Sequence, residues 1–179
     1  MPSGEAGTKN EIIVLGLDPS IRATGYGLVR ESSGQAALLA CGVIRPPVKA
    51  EMAARLACVF KKVSELITTY CPHEAAIENV FHAKNTASAL TLGQARGAAM
   101  TACAMQGLCV AGYEPSVVKK TLVGTGRAEK TQVAFMVAQI LGKTPAWFQA
   151  QPSDATDALG IAICHLNHRR FERLAKACK

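Results

Sequence analysis

Four acidic residues carry the clearest chemical potential in this chain: Asp18, Glu78, Asp154 and Asp157. Each sits at the border of an apolar stretch. Asp18 closes Ile12-Ile13-Val14-Leu15-Gly16-Leu17, and Glu78 closes Ala75-Ala76-Ile77. Asp154 and Asp157 open a helix-like run that begins at Ser153; three residues apart, they leave a helix on one face. Carboxylates in such places are costly to desolvate, and hard divalent cations held through oxygen are one compensation. About two Mg²⁺ ions roughly 4 Å apart, with Mn²⁺ as a substitute, would activate a water and stabilise a leaving oxygen on phosphorus. The chemistry to expect is metal-assisted phosphodiester hydrolysis.

Each acid also has a plainer reading. Asp18 precedes Pro19 and suits a turn, while Asp154 and Asp157 suit the positive end of a helix dipole. For Asp154 alone that plainer reading is the stronger. Glu78 has no comparable excuse, since an unpaired Glu in an apolar strand is expensive.

The bulk properties bound the partner. The 179 residues, 49% hydrophobic and only 5% aromatic, suit one compact domain with an aliphatic core. Net charge is +7, and ten of the 20 Lys/Arg lie from Lys119 onward, against four of the 13 acids. That bias suits an anionic polymer, or equally a solvated surface. No apolar run is long enough to cross a bilayer, and the polar stretch 1–11 lacks the apolar segment of a secretion signal. A loose tail over 1–11, a single domain over 12–179 and a cytoplasmic location are expected. Seven cysteines without a CxxC read as reduced structural thiols, and His165 with His168, lacking further ligands at zinc spacing, as a solvated helix face.

The elements that must position the acids follow from periodicity. Residues 12 to 18, 24 to 30 and 36 to 44 read as three strands joined by tight turns, with Ser32-Ser33-Gly34 between the second and third. Residues 49 to 70 carry apolar side chains every three or four positions, an amphipathic helix stopped by Pro72. Then come a strand over 75 to 81, an Ala-rich helix over 86 to 106, a strand over 108 to 113, and helices around 116 to 122, 129 to 141 and 153 to 176. The stretch 142 to 152 reads as an irregular connection. This order predicts an α/β fold: a mixed five-stranded sheet with helices on both faces. With the first and fourth strands side by side, Asp18 and Glu78 meet at the carboxyl edge, the usual place for α/β sites.

Further residues suit a nucleic-acid partner. Gly124 and Gly126 lie among Lys119, Lys120, Arg127 and Lys130, where the backbone can approach phosphates. Phe81, followed by polar neighbours, suits base stacking, worth about 1–3 kcal/mol. Asn85, Gln94 and Arg96 are weaker DNA-contact candidates. Ala89, Gly93, Gly97 and Met100 read first as close helix packing and secondly as a dimer surface.

The ordered set of motifs resembles the RuvC Holliday-junction resolvases, of the ribonuclease H-like superfamily. It comprises Gly16-Leu17-Asp18-Pro19-Ser20 with Thr24-Gly25-Tyr26-Gly27, Ile77-Glu78-Asn79-Val80-Phe81, Ala83-Lys84-Asn85 and Leu92-Gly93-Gln94-Ala95-Arg96-Gly97. It continues with Tyr113-Glu114-Pro115, Val118-Lys119-Lys120-Thr121, Gly124-Thr125-Gly126-Arg127-Ala128-Glu129-Lys130 and Asp154-Ala155-Thr156-Asp157. The resemblance implies a ribonuclease H-like fold and a Mg²⁺-dependent endonuclease that resolves four-way DNA junctions by paired symmetrical nicks. It places the catalytic and metal-binding carboxylates on Asp18, Glu78, Asp154 and Asp157, the supporting lysines on Lys119 and Lys130, and the stacking aromatic on Phe81. It further implies a homodimer working with the branch-migration proteins RuvA and RuvB. A related nuclease acting on RNA, an actin-like nucleotide-binding hairpin at Leu15 to Gly25, and a non-catalytic junction binder are the alternatives.

Overall fold

A computed structural model describes residues 11–79 and 86–177. Phe81 and Asn85 therefore lie outside the described residues, as do 1–10 of the expected tail. The strands are β1 (Ile12–Asp18), β2 (Thr24–Ser32), β3 (Gln35–Ile44), β4 (Glu74–Glu78) and β5 (Cys109–Tyr113). The helices are α1 (Met52–Tyr70), α2 (Thr86–Met105), α3 (Pro115–Val123), α4 (Lys130–Ile140), α5 (Pro145–Gln149) and α6 (Ser153–Ala177). The sheet order is β3-β2-β1-β4-β5, with β1, β2 and β3 antiparallel and β1, β4 and β5 parallel.

Local sequence accounts for the joints. Ser33 and Gly34 both take positive φ, 50° and 82°, the two-residue turn whose twist matches a β2–β3 hairpin. Cys71 adopts φ 46° and donates its N–H to the Ile67 carbonyl, closing α1 before β4 begins. Residues 142–152 are not irregular throughout, as periodicity suggested. Thr144 accepts from the Trp147 N–H and Pro145 occupies the first turn, so a short helix, α5, forms there. The strand expected over 75–81 ends at Glu78, where the Asn79 N–H is already donated to the Tyr113 carbonyl.

Strand alternation divides the core in two. Leu15, Leu17, Leu28, Ala75 and Ile77 face α1 and α2. Ile12, Val14, Val29 and Ala76 face the layer of α3, α4 and α6. Leu15, Leu17 and Ile77 are fully buried, each contributing about 1.5–3 kcal/mol. On the second face α6 lies directly on strand backbone. Gly16 leaves room for Ala158 and Ala162, Gly25 for Asp154, and Gly27 for Leu159, and a Cβ at any of the three would overlap the helix.

Met100 of α2 packs against the core on the α1 side, but Ala89, Gly93 and Gly97 of the small-residue face do not pack within the chain, contrary to the first reading. Gly93 and Gly97 are exposed with open space where a side chain would be, and Leu90 and Met105 of the same helix are 65% and 74% exposed. Among the described residues no helix is long and apolar enough to cross a membrane.

Candidate active site

β1 and β4 end together. Leu17 pairs with Ile77 in parallel register, so Asp18 and Glu78 are the next residues on adjacent strands. Alternation sends both carboxyls to the α6 face, where Val14 and Ala76 also point. α6 begins over the same edge, its first turn held against Gly25, and supplies Asp154 and Asp157. Lys130, the first residue of α4, donates to Asp157 Oδ2 at 3.0 Å. Its backbone is set by a capping box in which the Glu129 N–H bonds Gln132 Oε1 at 2.8 Å.

The result is a cleft of ≈ 310 Å³ lined by Asp18, Glu78, Asp154, Asp157, Lys119 and Lys130, with Pro115, Val118, Val133 and Ile161 as apolar walls. Four acids, the first and last 139 residues apart in the chain, share it. Burial and the neighbouring Glu78, Asp157 and Asp154 carboxylates raise the Asp18 pKa to about 8. Glu78 is also raised, by burial first, with its hydrogen bond to Asp18 and the Lys130 ammonium opposing. Both carboxyls resist ionising, and the hydrogen bond between them raises Asp18 and lowers Glu78, so a proton held between the two favours Asp18. The Lys130 ammonium is stabilised by its bond to Asp157.

This donor set fits a hard divalent cation: four carboxylates and no thiolate or imidazole. A cation held here would add positive charge to a cluster whose ion-pair partner in this structure is Lys130. Among the described residues no three His, Cys, Asp or Glu side chains are arranged to enclose an ion as they stand.

The other nucleic-acid candidates divide. Lys119 and Lys130 line the cleft; Lys120, Arg127 and Gln94 are exposed outside it. Arg96 turns inward. Its Nε donates to the Glu78 carbonyl at 3.1 Å and its Nη2 to Asn79 Oδ1 at 2.8 Å, so it secures the exit of β4. His165 and His168 do not form a solvated face. The His165 side chain is 12% exposed and lies 2.6 Å from Glu74 Oε2 and 2.8 Å from the Tyr113 hydroxyl, while His168 packs against the Tyr113 ring. Sequence reasoning missed this cluster. Its signal was that Glu74 shares a strand face with Glu78, and His165 a helix ridge with Asp157.

The chain is similar to known proteins over most of its length. The family model described as crossover junction endodeoxyribonuclease RuvC matches residues 14–165. A curated protein of that name from Solidesulfovibrio magneticus is 56% identical over 165 residues, 92% of this chain and 95% of its own. Another from Lawsonia intracellularis is 53% identical over 169 residues, 94% of this chain and 98% of its own. The solved structure of Thermus thermophilus RuvC in complex with a Holliday junction substrate superposes with a TM-score of 0.83 at 33% identity, covering 90% of this chain and 96% of that one. A yeast mitochondrial Holliday junction resolvase, at 11% identity and a TM-score of 0.65, shares the fold.

Proposed function

The chain belongs to the RuvC family of crossover junction endodeoxyribonucleases, with their ribonuclease H-like fold, and from that premise we propose how its own residues carry out junction cleavage. It is a metal-dependent nuclease of recombination and repair that resolves four-way DNA junctions. That membership sets aside the RNA-directed nuclease, the nucleotide-binding hairpin and the non-catalytic binder.

Asp18, Glu78, Asp154 and Asp157 are the catalytic and metal-binding carboxylates in this proposal, and Mg²⁺, about two ions with Mn²⁺ able to replace it, is the cofactor. When bound, Mg²⁺ would polarise the scissile phosphate and make a neighbouring water nucleophilic. Asp18, whose carboxyl pKa is raised, would have to lose its proton to solvent in order to hold the cation. Lys130, bonded to Asp157 here, would be free to meet a phosphate oxygen if a cation took over that carboxylate, within the same cleft as Lys119. The apolar walls Val118, Val133 and Ile161 limit water around these charges. The observation that carries this reading is the convergence of four carboxylates and two lysines at one sheet edge, from β1, β4, α3, α4 and α6.

Outside the cleft, exposed Lys120, Arg127 and Gln94 suit contacts to the junction arms, and Phe81 and Asn85 keep the roles their motif implies. A four-way junction is two-fold symmetric, so a homodimer presents one site to each of two like strands and makes paired nicks. The exposed face of α2 around Ala89, Gly93 and Gly97 suits the partner subunit. Family membership supports cooperation with RuvA and RuvB, and a cytoplasmic location.

The test is cleavage of a synthetic mobile four-way junction with Mg²⁺, wild type beside Asp18→Asn. Symmetrical paired nicks should appear with wild type and vanish in the variant, while junction binding persists. Cleavage by the variant at wild-type rate would refute the site.

A further inference from the structure

α6 carries two acids of the site, yet its seat on the sheet is smooth. Gly16, Gly25 and Gly27 present bare backbone to it, and apolar contact is non-directional. Something directional has to set where the helix stops along its axis. The Asp157–Glu78 approach cannot, because both are acids that disfavour each other's charge.

Glu74 opens β4 four residues before Glu78, so both lie on the α6 face with Ala76 between them. His165 follows Asp157 by eight residues along the i, i+4, i+8 ridge of α6, with Ile161 between them. α6 runs away from the carboxyl edge, opposite to β4. The spacings match: four strand residues and eight helical residues both span roughly 12–13 Å. Glu78 with Asp157 and Glu74 with His165 are thus two rungs of one ladder.

The second rung is strongly bonded. Glu74 Oε2 lies 2.6 Å from His165 Nε2, and Glu74 Oε1 accepts from Arg169 Nε at 2.8 Å, one helical turn further on. With the imidazole neutral, Nε2 donates to Glu74 and Nδ1 accepts the Tyr113 hydroxyl proton at 2.8 Å. The Tyr113 carbonyl in turn accepts the Asn79 N–H at 2.7 Å, directly after Glu78. Burial pushes the Glu74 carboxyl up, but the bonds from Arg169 and His165 outweigh it and hold it below its ordinary value.

We infer that Glu74, His165 and Arg169 form a register clamp: positioning residues that fix α6 along β4 and so set the distance of Asp154 and Asp157 from Glu78. The inference rests on those acids being the metal ligands proposed above. None of the three clamp residues lines the cleft.

The test compares wild type, Glu74→Gln, Glu74→Ala, His165→Ala and the double alanine variant. Mn²⁺ affinity is measured calorimetrically without DNA, junction affinity in EDTA, and Tm alongside. Glu74→Ala should weaken Mn²⁺ binding about tenfold, the scale of losing a group that orients metal ligands. Glu74→Gln, which keeps one acceptor, should fall between it and wild type and decides the matter if the alanine variant does not fold. The double variant should bind Mn²⁺ no worse than Glu74→Ala, because the pair acts as a unit. Junction affinity in EDTA should stay within about twofold of wild type, since phosphate contacts lie elsewhere. A lowered Tm with unchanged Mn²⁺ affinity would overturn the clamp and leave the metal site standing. Wild type that binds no Mn²⁺ would overturn both.

Discussion

Lys130 Nζ lies 3.0 Å from Asp157 Oδ2, so a residue suited to a phosphate is bound to one suited to a metal. The pair links the start of α4 to the second turn of α6 and gives Asp157 a counter-charge that a cation would have to displace. Lys130 is largely exposed, and the bond is weak enough to exchange.

Removing that competing ammonium should separate metal binding from catalysis. Lys130→Gln should bind Mn²⁺ about two- to fivefold more tightly, the equivalent of one partly exposed ion pair. At saturating metal it should cleave junctions more slowly. Calorimetry and single-turnover cleavage check the two arms.

Asp18 makes stability depend on pH in a defined direction. Its carboxyl is raised from 3.8 to about 8, so folding takes up a proton between those values. The favourable contribution is complete below about pH 4 and is lost as pH rises through about 8. In EDTA, the Tm of wild type should fall from pH 5 to pH 9 and Asp18→Asn should flatten that decline. A decline of equal steepness in both proteins would contradict the shared-proton arrangement.

Arg96 and Lys119 should differ in salt dependence. Lys119 lines the cleft, so Lys119→Ala should reduce the slope of log affinity against log salt by about 1 for junction binding. Arg96 donates to Glu78 and Asn79 inside the protein. Arg96→Ala should therefore lower Tm and cleavage while leaving the slope unchanged. A reduced slope would restore it as a phosphate contact.

A single methyl at Gly25 should disturb the metal site. Its Cβ would overlap the Asp154 carbonyl, and the backbone there cannot yield without moving the first turn of α6. Gly25→Ala should cost about 1–3 kcal/mol in urea unfolding, as overpacking generally does. It should also raise the Mg²⁺ concentration needed for half-maximal cleavage, because Asp154 travels with that turn.

Much of this was legible in the amino-acid order, because it rests on local rules. Alternating and i, i+3/i+4 apolar patterns placed the strands and long helices. The acids at the ends of β1 and β4 marked the sheet edge, whereas Asp154 and Asp157 reach it only because α6 begins there, and Lys119 and Lys130 were pointed to as part of the site by resemblance to a family and not by any local pattern. Short helix α5 was hidden because one turn offers too few residues to show a period.

What only the tertiary structure decided concerns contacts between residues far apart in the chain, which no local periodicity encodes. Arg96, with its charge and its place after Glu78, looks like a DNA contact until β4 and α2 are placed together; then its donors meet Glu78 and Asn79. His165 looks solvated until Glu74, 91 residues earlier, is brought against it. Glycines 16, 25 and 27 look permissive until α6 is laid across them. Residue type and spacing determined which groups this protein has for chemistry. The direction each side chain takes, and whether it meets DNA or another residue, was settled only when sheet and helix faces closed on one another.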